Sequence, residues 1–108
     1  MDYDRQFALV AEAPTADGTS DMAGIARVSR IPASEDRLLT LVVADAWQRR
    51  GIGAELVRSA VQVARGERIA NLLAELSPEN LPMRELLGSE GFSFEERGDV
   101  LLASLPAR

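Results

Sequence analysis

The feature that most constrains this chain is a junction. Residues Leu38-Leu39-Thr40-Leu41-Val42-Val43 are nearly continuous in apolar side chains, as expected of a central strand covered on both faces. From Gly53 onward Leu56, Val57, Ala60, Val61 and Ala64 recur at intervals of three and four, with Glu55, Arg58, Gln62 and Arg65 between them. That spacing predicts an amphipathic helix ending near Gly66. The connection carries Gln48-Arg49-Arg50-Gly51-Ile52-Gly53-Ala54. A buried strand that leads through glycines into a helix gathers unpaired backbone N–H groups, and about half a positive charge, at one point. Such an end binds phosphates. The glycines let an anion approach the main chain and permit positive φ, and Arg49 and Arg50 add charge-assisted donors. The bland alternative is a glycine-containing turn with two solvated arginines.

The elements around the junction follow from the same patterning. Residues 7–11 and 23–28 are apolar runs separated by Pro14 and the polar stretch 15–21, which predicts a β-hairpin with a seven-residue loop. Residues 69–76 predict a further strand. Ser77 and Pro78 suit the cap and first turn of a second helix that runs through Leu86 and Leu87 and stops at Gly91. Residues 92–97 and 100–105 flank Gly98-Asp99 as a closing hairpin. The expected fold class is α/β (α+β), a mixed, mostly antiparallel sheet in the order βββαβαββ, with residues 1–108 as a single domain.

Composition removes whole classes of chemistry. The chain has no cysteine and no histidine, so disulfides, thiolate or imidazole nucleophile systems and the ordinary zinc sites are out of reach, and no metal is expected. All twelve positive charges are arginine, which excludes the lysine-bearing P-loop. A net charge of −5 argues against nucleic acid as a partner. The chain has no long apolar run, and Met1-Asp2-Tyr3-Asp4-Arg5 is acidic where a signal peptide would be basic. No membrane association and a cytoplasmic address are therefore expected. A Rossmann dinucleotide site is a rival reading of Gly51-Ile52-Gly53, with Glu75 downstream. It is disfavoured by Leu56 in place of a third glycine and by the eight residues from Ala44 to Gly51 before the turn.

Gln48, Gly51 and Gly53, spaced as Gln-x-x-Gly-x-Gly after a central strand, resemble the coenzyme A loop of the GNAT N-acetyltransferase superfamily. Asn80, Met83, Leu86, Leu87, Gly91 and Phe92 occupy the places of a second motif of that superfamily, so the two motifs together cover residues 41–92. Asp2-Tyr3-Asp4-Arg5 with Ala8-Leu9-Val10-Ala11, Asp45-x-Trp47-Gln48 and Pro78-Glu79-Asn80 further resemble the GNAT domain of bacterial protein lysine acetyltransferases. The resemblance implies an acyl-CoA-dependent N-acyltransferase with acetyl-CoA or coenzyme A as co-substrate and a protein lysine or small amine as acceptor. Its implied cofactor-binding set is Leu41, Val42, Val43, Gln48, Arg49, Arg50, Gly51, Ile52, Gly53, Ala54 and Asn80. The strand at 38–43 would splay from the strand at 69–76, and the Val43 backbone amide would polarise the thioester carbonyl.

Two departures bear on catalysis. Leu87 stands where many GNAT enzymes have a tyrosine, and Leu38 where the lysine acetyltransferase branch has a glutamate. Glu75 is the best remaining carboxylate for a general base, with Glu35 and Asp36 as alternatives and Tyr3 more suited to packing. Relative to the resemblance the chain also starts at the second strand, without the usual first strand and two helices. That leaves an edge strand and apolar surface for a homodimer to cover, unless Met1 is an internal methionine of a longer frame. The alternative function is an acyl-CoA-binding or dimerising module without turnover.

Overall fold

The computed structural model describes residues 7–14, 17–18, 20–43 and 51–107. Six strands and two helices follow in the order β1 (Phe7–Pro14), β2 (Ser20–Arg30), β3 (Arg37–Val43), α1 (Ile52–Gly66), β4 (Asn71–Leu76), α2 (Leu81–Ser89), β5 (Ser93–Arg97) and β6 (Val100–Pro106). This is the expected βββαβαββ order. The strands form one sheet in the order β1-β2-β3-β4-β6-β5, antiparallel throughout except for the parallel pair β3 and β4.

Handedness puts both helices on one face. The connection from β3 through α1 to β4 and the connection from β4 through α2 to β5 both step in the same direction across the sheet. Right-handed crossovers taken in one direction place their helices on the same side. The core accordingly lies between that face and the helices. It contains Leu56, Val57, Ala60, Val61 and Ala64 of α1, Leu87 of α2, and the alternate strand residues Ala26, Val28, Leu39, Leu72, Ala74, Leu76, Leu101, Ala103 and Leu105. All five α1 positions picked out by spacing are buried.

The opposite face carries no helix among the described residues, which corrects the expectation that β3 is covered on both sides. Leu39 is buried, but Thr40 is exposed and Val42 is 58 % exposed. A continuous apolar run does mark a central strand here. It does not report how many faces are covered.

Three boundaries also differ from expectation. The first hairpin extends to Pro14 and resumes at Ser20, with a bulge between Ala11 and Glu12, so its connection is shorter than seven residues. The second strand of the β3–β4 pair begins at Asn71 rather than residue 69. The cap of α2 is Asn80, whose side-chain oxygen accepts from the Met83 N–H, and Pro82 rather than Pro78 occupies the first turn. Ser77 is engaged locally instead: its carbonyl accepts the Asn80 N–H and its hydroxyl donates to Glu79.

Candidate acyl-donor cleft

The two middle strands part almost as soon as they meet. Among the described residues the β3–β4 ladder consists of Arg37↔Leu72 and Leu38↔Leu73, whereas β3 stays paired with β2 along its whole length and β4 with β6. Alternate main-chain groups of β3 beyond Leu38 therefore face a gap and not a strand. The gap is a cavity of about 340 Å³, lined by Leu38, Leu39, Thr40 and Leu41 from β3, by Ala74, Glu75 and Leu76 from β4, and by Ser77, Asn80, Met83 and Leu87. Seven of the eleven lining residues are aliphatic or Met, with Thr40, Glu75, Ser77 and Asn80 as polar side chains, and polar atoms make up slightly more of the accessible wall than apolar ones.

At the C-terminal end of β3 the cleft adjoins the start of α1. Gly53, in the first turn, has Leu41 and Val43 on one side and Leu86 of α2 on the other, and an added Cβ would lie 3.0 Å from the Leu86 Cδ2. Gly51 is the N-cap in the left-handed region (φ 83°, ψ −3°) and supplies no side-chain cap. The first-turn N–H groups at Ile52, Gly53 and Ala54, at the positive end of the helix dipole, thus receive no acceptor from the side chain of the cap residue.

Of the expected site residues, Leu41, Glu75 and Asn80 line the cavity together, and Gly51, Ile52, Gly53 and Ala54 form the adjacent helix start. Val42 and Val43 continue β3 beyond the lining. Gln48, Arg49 and Arg50, as well as Tyr3, lie outside the described residues. Asn80 spends its side-chain oxygen on the helix cap, so what it offers the cleft is its amide N–H₂. Glu75 is exposed at the cleft. Neither Glu35 nor Asp36 lines it: the Asp36 carboxylate accepts from Asn71 Nδ2 at 3.0 Å, at the joined end of the two strands. Close to the rim, the Ser77 hydroxyl holds the Glu79 carboxyl below the usual carboxylate range.

Sequence reasoning passed over Thr40, Met83 and Ala74 as lining residues. A lone threonine in an otherwise aliphatic run was the available sign for Thr40. Leu87, at the place of the tyrosine expected from the resemblance, is 1 % exposed and belongs to the core. Among the described residues no helix is long and apolar enough to cross a membrane.

Comparison with solved structures places this architecture. The fold matches an acetyltransferase of the GNAT family from Streptococcus pneumoniae with a TM-score of 0.81 at 23 % identity, covering 96 % of this chain and 68 % of that one. The ribosomal-protein-S18-alanine N-acetyltransferase of Escherichia coli superposes with a TM-score of 0.77 at 21 % identity, over 98 % of this chain and 72 % of that one. A Salmonella typhimurium protein solved with its cofactor acetyl-CoA gives 0.75 at 18 % identity, over 82 % and 62 %. No curated protein sequence matches the chain. The family model described as the acetyltransferase (GNAT) family matches residues 2–92, which include the parted strands and the helix start beside them. That match spans most of the molecule, and the chain belongs to the GNAT acetyltransferase family.

Proposed function

We propose that this chain is an acyl-CoA-dependent N-acyltransferase that acts as one unit and receives acetyl-CoA in the cleft between β3 and β4. GNAT acetyltransferases use acetyl-CoA, and the observation that carries the reading to this chain is the parting of β3 from β4 beyond Leu38, beside a helix start whose donors lack a side-chain cap. The segment Gln48-Arg49-Arg50-Gly51-Ile52-Gly53-Ala54 holds the pyrophosphate. Main-chain groups of Leu41, Val42 and Val43, with the Asn80 amide, take the pantetheine arm, and the Val43 N–H stabilises the oxyanion.

The chemistry requires no enzyme-bound intermediate. The nitrogen of a neutral amine attacks the thioester carbonyl carbon, the C–S bond breaks, and coenzyme A leaves as thiolate. Glu75 accepts the proton that the amine nitrogen must lose. The acceptor is a protein lysine or a small amine, and the setting is cytoplasmic.

A second copy of the chain completes the proposal. Val10, Ile25 and Val42 are cross-strand neighbours on the open sheet face, and Val10 and Val42 are 48 % and 58 % exposed. Next to them β1 is an edge strand. A homodimer would remove both the apolar row and the open edge from water.

The second reading is an acyl-CoA-binding module without turnover. It is favoured by Leu87, which is sealed in the core and leaves no phenol there to protonate the thiolate. Calorimetric titration with acetyl-CoA, followed by thiol release with a panel of amines and lysine-bearing proteins, separates the two. Binding with release supports the enzyme, binding without release the module, and no binding would refute both.

A further inference from the structure

Opposite charges flank the parted strands on the open face of the sheet. On β2 the buried Ala26 and Val28 point toward the helices, so Arg27 between them points the other way, and it is exposed. Its cross-strand partner on β3 is Thr40, exposed on the same face. Glu75, between the buried Ala74 and Leu76 of β4, emerges there too. Two residues on from the Leu38↔Leu73 pair, Thr40 and Glu75 stand at the same level on either side of the gap. Arg27, Thr40 and Glu75 thus form one row across the cleft, and the last two line it. The apolar row of Val10, Ile25 and Val42 lies two residues farther along each strand, so the charged row is a neighbouring strip of the same face.

The protein does not neutralise this row itself. Among the described residues neither Arg27 nor Glu75 has an ion pair or a side-chain hydrogen bond, whereas Arg58 is paired with Glu90, Arg97 with Glu95, and Arg37 donates to main-chain carbonyls. On the acyl-CoA reading, on which this inference rests, the donor approaches from the start of α1, and the open face is left for the acceptor. Glu75 then attracts the ammonium of the acceptor and takes its proton. A guanidinium on the other side of Thr40 is a like charge for that ammonium and serves a bare amine poorly. Its fork matches a carboxylate, and the threonine hydroxyl between can serve either group.

We propose that Arg27 selects the acceptor: it holds a carboxylate carried by the same molecule as the attacking amine, so the substrates are free amino acids and not lysines within a protein. Arg27 is level with Thr40, three residues or about 10 Å short of Val43 along the strand. An arginine side chain that leans along the strand covers most of that distance, and the span left for the acceptor is that of a short amino acid. In the transfer itself the amine nitrogen bonds to the acyl carbon, its proton passes to Glu75, and the C–S bond breaks to release the thiolate. The carboxylate on Arg27 is unchanged throughout.

The test is thiol release from acetyl-CoA with matched acceptors: glycine against glycinamide, 6-aminohexanoate against 6-aminohexanamide, and a lysine peptide with both ends blocked. The quantity read is the ratio of kcat/KM for the carboxylate over the amide, and its change on substitution cancels the basicity of each amine. The unaltered chain should favour the carboxylates. Arg27→Gln should lower the ratio about tenfold or more, the scale of a charge-assisted hydrogen bond, while Arg27→Lys retains most of it. Arg27→Glu should reverse the preference and admit 1,5-diaminopentane, a change of direction that misfolding does not produce. Acetyl-CoA affinity in calorimetry should stay the same in all three variants. A ratio unaltered by Arg27→Gln and Arg27→Glu, a parent that prefers the amides or the blocked peptide, or donor binding without transfer to any acceptor would overturn the assignment of Arg27 while leaving the acyl-CoA site intact. Failure of the unaltered protein to bind acetyl-CoA would overturn both.

Discussion

Asn80 caps α2 and lines the cleft with one side chain, and the cap can be separated from the proposed ligand contact. Its oxygen caps α2 through the Met83 N–H, leaving the amide donors for the cleft. Asn80→Ala should lower stability by about 1 kcal/mol, the usual worth of a cap, as seen in denaturant unfolding. Asn80→Asp should keep the cap yet lose the donors, so its stability stays near that of the parent while acetyl-CoA affinity falls about fivefold, the scale of one hydrogen bond. Glu75 makes a different prediction because its proposed part is proton transfer. Glu75→Gln should reduce kcat by about a hundredfold or more with KM for acetyl-CoA little changed, and steady-state thiol release checks this. Arg50→Glu should weaken coenzyme A binding markedly in calorimetry. Unaltered affinity there would mean that the pyrophosphate loop has been misplaced.

Within elements, two glycines mark where the main chain is under constraint. Gly51 sits at φ 83°, a region that costs a residue with a Cβ about 1–2 kcal/mol. Gly24 of β2 meets a different limit: an added Cβ would lie 3.0 Å from the Leu56 Cδ1 and 3.1 Å from the Val42 carbonyl oxygen. The leucine tip can move but the strand carbonyl cannot, so Gly24→Ala should destabilise by about 1–3 kcal/mol, read as a lowered Tm. Element by element, legibility tracked how local the controlling physics is. The buried stripe of α1 was readable because Leu56, Val57, Ala60, Val61 and Ala64 carry it within one helix. The α2 start was misread by three residues because Ser77 and Asn80 are both competent caps, and Ser77 is drawn into a local bond with Glu79. The single covered face of β3 depends on the crossover direction of two later segments, which no window on residues 38–43 contains. The Asp36–Asn71 bond joins residues that are unremarkable at their own positions. The parting of β3 and β4 and the helix start beside it were expected by resemblance, while the walls supplied by Thr40, Ala74 and Met83 emerge only when the strands are set side by side.

For the whole molecule, the open sheet face and the edge at β1 carry the prediction of association. Light scattering at micromolar concentration should give the mass of a dimer, and a monomeric mass would sink that proposal. Val10→Glu, on the apolar row and away from the cleft, should shift the mass to that of a monomer while leaving acetyl-CoA affinity unaltered. The parted strands carry a larger consequence. With β1, β2 and β3 on one side and β4, β6 and β5 on the other, the sheet is two panels stitched at one end. On the proposed reading a bound pantetheine arm would lie along the open seam like a non-protein strand. Acetyl-CoA at a hundred times its Kd would stabilise the fold by about 2.7 kcal/mol, and amide exchange along β3 should slow with it. On the proposed reading the strand that fills the seam would depart within coenzyme A after each acyl transfer. The completeness of the sheet would then follow the supply of acyl donor, so that starvation for the donor loosens the molecule along its own midline.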